Sequence, residues 1–161
     1  MKKFYIFIVL ILISSQSLIG QNTNQLNELI IESLHSYINY SLELQKSVCK
    51  NCEKYDNYIC QDGLPANFPY NSVENIKIIS VDYFRVYSNP LKTQLKKGIT
   101  ALFVCFELNN NQLQISVSSK GVKLIHRTTI SVAVSDWAHY IYEYSCDRQK
   151  WELKESRYGG I

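Results

Sequence analysis

The chain of 161 residues carries 17 basic and 14 acidic side chains, a formal net charge of +3, and is 46% apolar and 19% charged. That balance fits one globular domain around one core, and a charge this near neutral gives no electrostatic reason to bind nucleic acid. No tandem repeat, low-complexity tract or long Gly/Ser linker divides the chain into modules.

The chain opens with Lys2 and Lys3, continues through the apolar segment Phe4 to Ile13, and reaches Gly20 and Gln21 through the polar step Ser14, Ser15, Gln16 and Ser17. Charge, then apolar run, then small and polar residues read as a secretory signal peptide over residues 1–20, with residues 21–161 as a single exported domain. An apolar run of roughly ten residues is half of the about twenty that cross a bilayer, which disfavours an uncleaved anchor. The first cysteine is Cys49, so no lipid-bearing cysteine follows the run. Loss of Lys2 and Lys3 leaves 15 basic and 14 acidic side chains, a formal charge of +1. The expectation is a periplasmic or secreted protein with no membrane span once the signal is removed.

From about Asn24 to Lys46, Leu26, Leu29, Ile30, Leu34, Tyr37, Ile38 and Leu44 recur at three-and-four spacing. This predicts one amphipathic helix, capped by Asn22, Thr23 or Asn24, with Glu28 near the positive end of its dipole. His35 has no second ligand at helical spacing and reads as a surface histidine. Between Cys49 and Asn71 the period is lost, and Gly63, Pro65 and Pro69 give the segment loop composition. The aromatic residues there, Tyr55, Tyr58, Phe68 and Tyr70, are expected to be exposed and are candidate binding residues.

Three of the five cysteines, Cys49, Cys52 and Cys60, cluster in this loop. In an oxidising compartment a disulfide within that group would tether the loop, with Cys146 as a longer-range partner. Cys105, between Val104 and Phe106, reads as a buried free thiol. Five thiols with one left over do not determine the connectivity. The spacing Cys49-Lys50-Asn51-Cys52 also suits a redox dithiol or a zinc knuckle. Lying after a helix, however, it meets the negative end of the dipole, which disfavours a thiolate, and zinc would lack a fourth ligand at knuckle spacing. No metal or cofactor is expected.

From Val73 onward strand patterns dominate, at Ile76–Val81, Thr100–Leu108, Gln112–Ser118, Val122–Val134 with a break near Arg127, Trp137–Ser145 and Lys150–Glu155. Asn109-Asn110-Asn111 and Ser119-Lys120-Gly121 suit tight hairpins, so consecutive strands should pair antiparallel. Asn89 and Pro90 read as the cap and first position of a short helix that Gly98 ends, with Lys92, Lys96 and Lys97 as its solvated face. The fold class is therefore α+β, a long N-terminal helix packed on a curved antiparallel β-meander of about five to six strands.

Alternation along Trp137–Ser145 places Tyr140, Tyr142 and Tyr144 on one face together with Cys146, and Trp137, His139, Ile141 and Glu143 on the other. The tyrosine stripe suits either a half-buried sheet face or a recognition surface. The titratable residues His126, His139, Glu107, Asp82, Asp136 and Glu143 are scattered through strands and turns. No Gly-x-Ser-x-Gly elbow, phosphate-cradling glycine loop or His-Glu-x-x-His helix occurs, so no catalytic residue is assigned.

The run Ser135-Asp136-Trp137, Tyr142-Glu143-Tyr144-Ser145-Cys146, Lys150-Trp151-Glu152-Leu153 and Tyr158-Gly159-Gly160-Ile161 resembles a group of small exported bacterial proteins of uncharacterised function. The resemblance covers about the last third of the chain and brings no active site with it. A helix followed by a meander is also similar to the cystatin and NTF2-like shape, an analogy of fold that suits inhibitors, binding proteins and some enzymes alike. Periplasmic immunity proteins, which neutralise toxins of contact-dependent secretion systems, share this size and shape. The functional expectation is a non-enzymatic protein that occludes a protein partner through the Tyr140, Tyr142, Tyr144 face or the Cys49–Tyr70 loop. The alternative is an NTF2-like pocket between helix and sheet that binds or converts a small molecule.

Overall fold

A computed structural model describes residues 2–48, 57–73, 76–79, 92–126 and 129–160, with the side chains of the first helix described from Asn24 to Ser47. Helix α1 (Lys2–Val48) leads into β1 (Asn57–Cys60), β2 (Ile76–Ile79), the short helix α2 (Lys92–Lys97), β3 (Ile99–Asn109), β4 (Gln112–Leu124), β5 (Ile130–Ser145) and β6 (Lys150–Gly160). The expected helix over Asn24–Lys46 lies inside α1. Its expected start at Asn22–Asn24 is not a helix end, because helical residues precede it and their carbonyls take the amides that a cap would satisfy.

The strands form one six-stranded sheet in the order β2-β1-β3-β4-β5-β6. From β3 to β6 it is the antiparallel meander that the sequence predicts. β1 departs from that prediction. Expected to be loop, it pairs parallel with both β2 and β3, so the sheet is mixed.

Local turn chemistry accounts for several boundaries. Asn110 and Asn111 adopt φ of 46° and 65° between the paired residues Asn109 and Gln112, forming a two-residue hairpin whose twist suits the flanking strands. Gly98, at φ 97°, ends α2 by donating its N–H to the Gln94 carbonyl at 2.9 Å. Asn89 and Pro90 lie outside the described residues. Ser119-Lys120-Gly121, expected to be a hairpin, instead sits within β4 where the register shifts between Ser119 and Lys120. The extra residue on the partner strand is Ser135, whose hydroxyl lies 2.7 Å from the Asp136 carboxylate and 3.2 Å from the Ser119 carbonyl, so the irregularity is a bulge in place of a turn. The reversal comes later, where Ile125 N–H donates to the Thr129 carbonyl at 2.9 Å.

Helix α1 buries Leu29, Ile30, Leu34 and Tyr37 against one sheet face, where they meet Ile59, Leu102, Val104, Leu113, Ile115, Val117, Ala138, Tyr140 and Tyr142. A second, smaller cluster joins Leu95 of α2 to Tyr58, Ile79, Ala101 and Val122. Ala101 and Leu102 are consecutive strand residues, so the two clusters occupy opposite sides of β3.

No disulfide forms among the described residues. Cys49 and Cys52, two of the three loop cysteines expected to form a tether, lie outside them, and Cys146, expected as a longer-range partner of that group, is not bridged to Cys60. Cys60 is buried in β1 with its thiol directed at the Asp62 carboxylate, 3.4 Å away. Cys146 is exposed in the turn after β5, and Cys105 is exposed where burial was expected. Strand alternation explains the latter, since Val104 faces the core and Cys105 therefore faces the other side.

Candidate functional site

The β5 face that the sequence left open between a half-buried sheet face and a recognition stripe forms, at Tyr140 and Tyr142, the floor of the core. Tyr140 and Tyr142 are each 1% exposed beneath α1, and so offer no free surface to a partner. The Tyr142 hydroxyl hydrogen-bonds the Ser33 hydroxyl of α1 at 3.0 Å. Burial pushes Tyr142 up to about 12, because a tyrosinate there would lose its hydration. Burial likewise raises Tyr140 and Tyr37, helped for Tyr37 by the nearby Asp136 carboxylate. Tyr144 is half-buried, edge-on to Trp151 at 5.4 Å.

The loop candidates are corrected in the same way. Tyr58 is buried beside α2 and donates its hydroxyl proton to Gln94 Oε1 at 2.8 Å. Phe68 is buried in the main core, and Tyr70 packs edge-on against it at 5.4 Å, half-buried. Tyr55 lies outside the described residues. These rings supply the apolar area that a loop-rich segment needs to stay attached to the sheet.

Chemistry-bearing residues gather instead on the opposite sheet face, which α1 does not cover. Cross-strand register aligns Cys105, Ser116, His139 and Arg157 in one row, flanked by Phe103, Ser118, Trp137 and Gly159 on one side and Glu107, Gln114, Ile141 and Glu155 on the other. All of these side chains are exposed or half-buried. Ser116 Oγ and His139 Nδ1 lie 2.7 Å apart, and Gln114 Nε2 is 3.5 Å from the same nitrogen. The Trp137 and His139 rings are 4.5 Å apart and tilted by 38°. A Cβ at position 159 would collide with the indole, so the absence of a side chain at Gly159 lets Trp137 lie over β6. Lys120 Nζ sits 4.3 Å from the centre of the Phe103 ring, and Arg157 grips Glu155 at 2.6 Å and 2.7 Å. The guanidinium hydrogen bonds lower the Glu155 carboxyl, and Gln112 together with Lys154 does the same for Glu143.

A serine hydroxyl on an imidazole nitrogen is the contact from which nucleophilic catalysis starts. Among the described residues no carboxylate hydrogen-bonds His139. What the surface can do is stack an indole and a phenyl ring against a partner and exchange hydrogen bonds through hydroxyl, amide, imidazole and guanidinium groups. Sequence reasoning had Trp137 and His139 on one face but not Ser116, which lies 23 positions away. The signal that was available is the strand alternation itself.

One shallow cleft of about 630 Å³ is lined by Tyr58, Gln94, Lys97, Thr100, Lys123 and Ser131, among other residues that include no acid or histidine. It lies beside α2 and not between α1 and the sheet, where the alternative reading placed a pocket. Among the described residues no three His, Cys, Asp or Glu side chains are grouped to hold a metal, and no helix is long and apolar enough to cross a membrane. Comparison of the chain with protein-family models, curated proteins and solved structures found no match.

Proposed function

We propose that this chain is a small exported, non-enzymatic binding protein that recognises a protein partner with its open sheet face. The observation that carries this reading is the platform of Trp137, His139, Ser116 and Phe103 on a sheet whose other face is filled by α1. Aromatic side chains set among hydrogen-bonding groups are the composition enriched where proteins meet, and tryptophan is a frequent energetic centre of such surfaces. The leader pattern of residues 1–20 supports export to the periplasm or beyond. Steric occlusion, as in an immunity or inhibitor-type protein, is the mechanism that needs only this surface. The pocket alternative has less support, because the cleft beside α2 has no acid or histidine to act on a ligand.

The test places a photo-reactive amino acid at Ser118, next to Trp137 in the register, in the cell that produces the protein. The expected result is a discrete adduct with one protein in the exported fraction, lost when Trp137→Ala weakens the contact by about 2 kcal/mol without changing the circular dichroism. Irradiation that yields no adduct, or an adduct indifferent to Trp137→Ala, refutes the assignment of this face.

A further inference from the structure

Strand β5 has two halves with different surroundings. Asp136–Glu143 lies between β4 and β6, but the pairing with β6 stops at Asp136 opposite Gly160. Ile130–Val134 pairs with β4 on one side, and on its other side no strand is paired among the described residues. The bulge at Ser135 separates the halves.

Alternation identifies the main-chain groups at this edge. Thr129 turns its main chain toward β4, its carbonyl accepting from the Ile125 and His126 N–H groups and its N–H donating to the His126 carbonyl, and successive residues of an antiparallel ladder alternate. Ser131 and Ala133 therefore bond to β4, while Ile130, Val132 and Val134 turn their N–H and C=O groups toward the open edge. Nothing in the sequence guards it. The segment from Thr129 to Ser135 contains no charge, proline or glycine, and Val132 and Val134 are 53% and 44% exposed. The outer edge of β6, by contrast, carries Glu152, Lys154, Glu155 and Arg157, the charged pattern that keeps natural sheet edges apart.

We propose that this edge docks a second copy of the chain, the two Ile130–Val134 segments pairing antiparallel about a two-fold axis at Val132. That axis sets Ile130 against Val134 of the other copy and Val132 against its own counterpart. Because the outward groups recur at every second residue, each of these is a hydrogen-bonded pair, and every outward main-chain group finds a partner. An uncharged segment meets its own copy without like-charge contact, and the exposed valines gain β-branched neighbours across the junction. A charged peptide would find no complementary charge on the same edge. The two sheets become continuous, with both α1 helices on one side and both Trp137 faces on the other.

The test is sedimentation of the full chain over a concentration series, combined with amide hydrogen exchange. The expected result is a concentration-dependent dimer in which the amides of Ile130, Val132 and Val134 slow as the dimer forms, while those of Ser131 and Ala133 are protected throughout. Val132→Lys puts like charges opposite each other at the axis and should weaken the dimer at least about tenfold, with unchanged circular dichroism. A chain that stays monomeric across the series, or a dimer that leaves the three amides exchanging freely, overturns the proposal. The exchange pattern is read on the unsubstituted chain and does not depend on how well the variant folds.

Discussion

Ser33 and Tyr142 join α1 to β5 by a hydroxyl pair 3.0 Å apart, with both residues closed off from solvent. Removing either oxygen tests whether the tyrosine face is structural. Tyr142→Phe keeps the ring and its packing, and the orphaned Ser33 hydroxyl can turn to the carbonyl of Leu29 one helical turn earlier, so the cost should be about 0.5–1.5 kcal/mol. Ser33→Ala is the harsher change. It leaves a phenol without an acceptor in a closed site, at about 1–3 kcal/mol. The double variant removes both polar groups together, so it should cost less than the sum of the singles, with a coupling of about 1 kcal/mol. Urea unfolding of the four proteins, followed by circular dichroism with the slopes compared, reads these differences directly. Strict additivity, or a Tyr142→Phe variant as stable as the parent alongside an equally stable Ser33→Ala, would refute a hydrogen bond between helix and sheet.

Three further outcomes follow from the same geometry. Leu34→Ala, at a fully buried position of α1, should cost about 2–5 kcal/mol in urea unfolding, and a cost below about 1 kcal/mol would mean that α1 does not cover the sheet. Gly159→Val should push the Trp137 indole off β6 and shift its fluorescence to the red, whereas an unchanged spectrum would show that the ring does not rest there. Tyr142 is raised from 10.0 to about 12 in the folded chain, so the native state holds this proton more tightly than the unfolded one. Its contribution is complete below pH about 10 and falls away as pH rises toward 12, with Tyr37 and Tyr140 acting in the same direction. Tyrosinate absorbance should therefore rise in step with alkaline unfolding. Ionisation of every tyrosine near its ordinary pKa in a chain that stays folded would contradict the burial of these rings.

The elements legible in the sequence are those set by short-range rules. The spacing of Leu29, Ile30, Leu34 and Tyr37 is a property of one helix and needs no partner to be read. The Asn110-Asn111 hairpin and the stop at Gly98 rest on backbone angles that few residue types accept. β1 is different. Asn57-Tyr58-Ile59-Cys60 is too short to show a period, and it is a strand only because β2 and β3 flank it. Ser119-Lys120-Gly121 has turn chemistry, yet pairing along β5 continues past it with Ser135 bulged out of the register.

The candidate surface divides along the same line. Alternation along β5 sorted Tyr140 and Tyr142 from Trp137 and His139 without any knowledge of the fold, because successive strand side chains point to opposite faces. Which of the two groups faces water was decided only when α1 settled on the tyrosines. Tyrosine and tryptophan are both amphipathic, so either group could have been covered, and the apolar stripe of a helix packed elsewhere in the chain made the choice. The Ser116–His139 contact likewise exists only because β4 and β5 lie side by side. Local periodicity records what one segment prefers, whereas burial and hydrogen-bond partners depend on which segments are brought together.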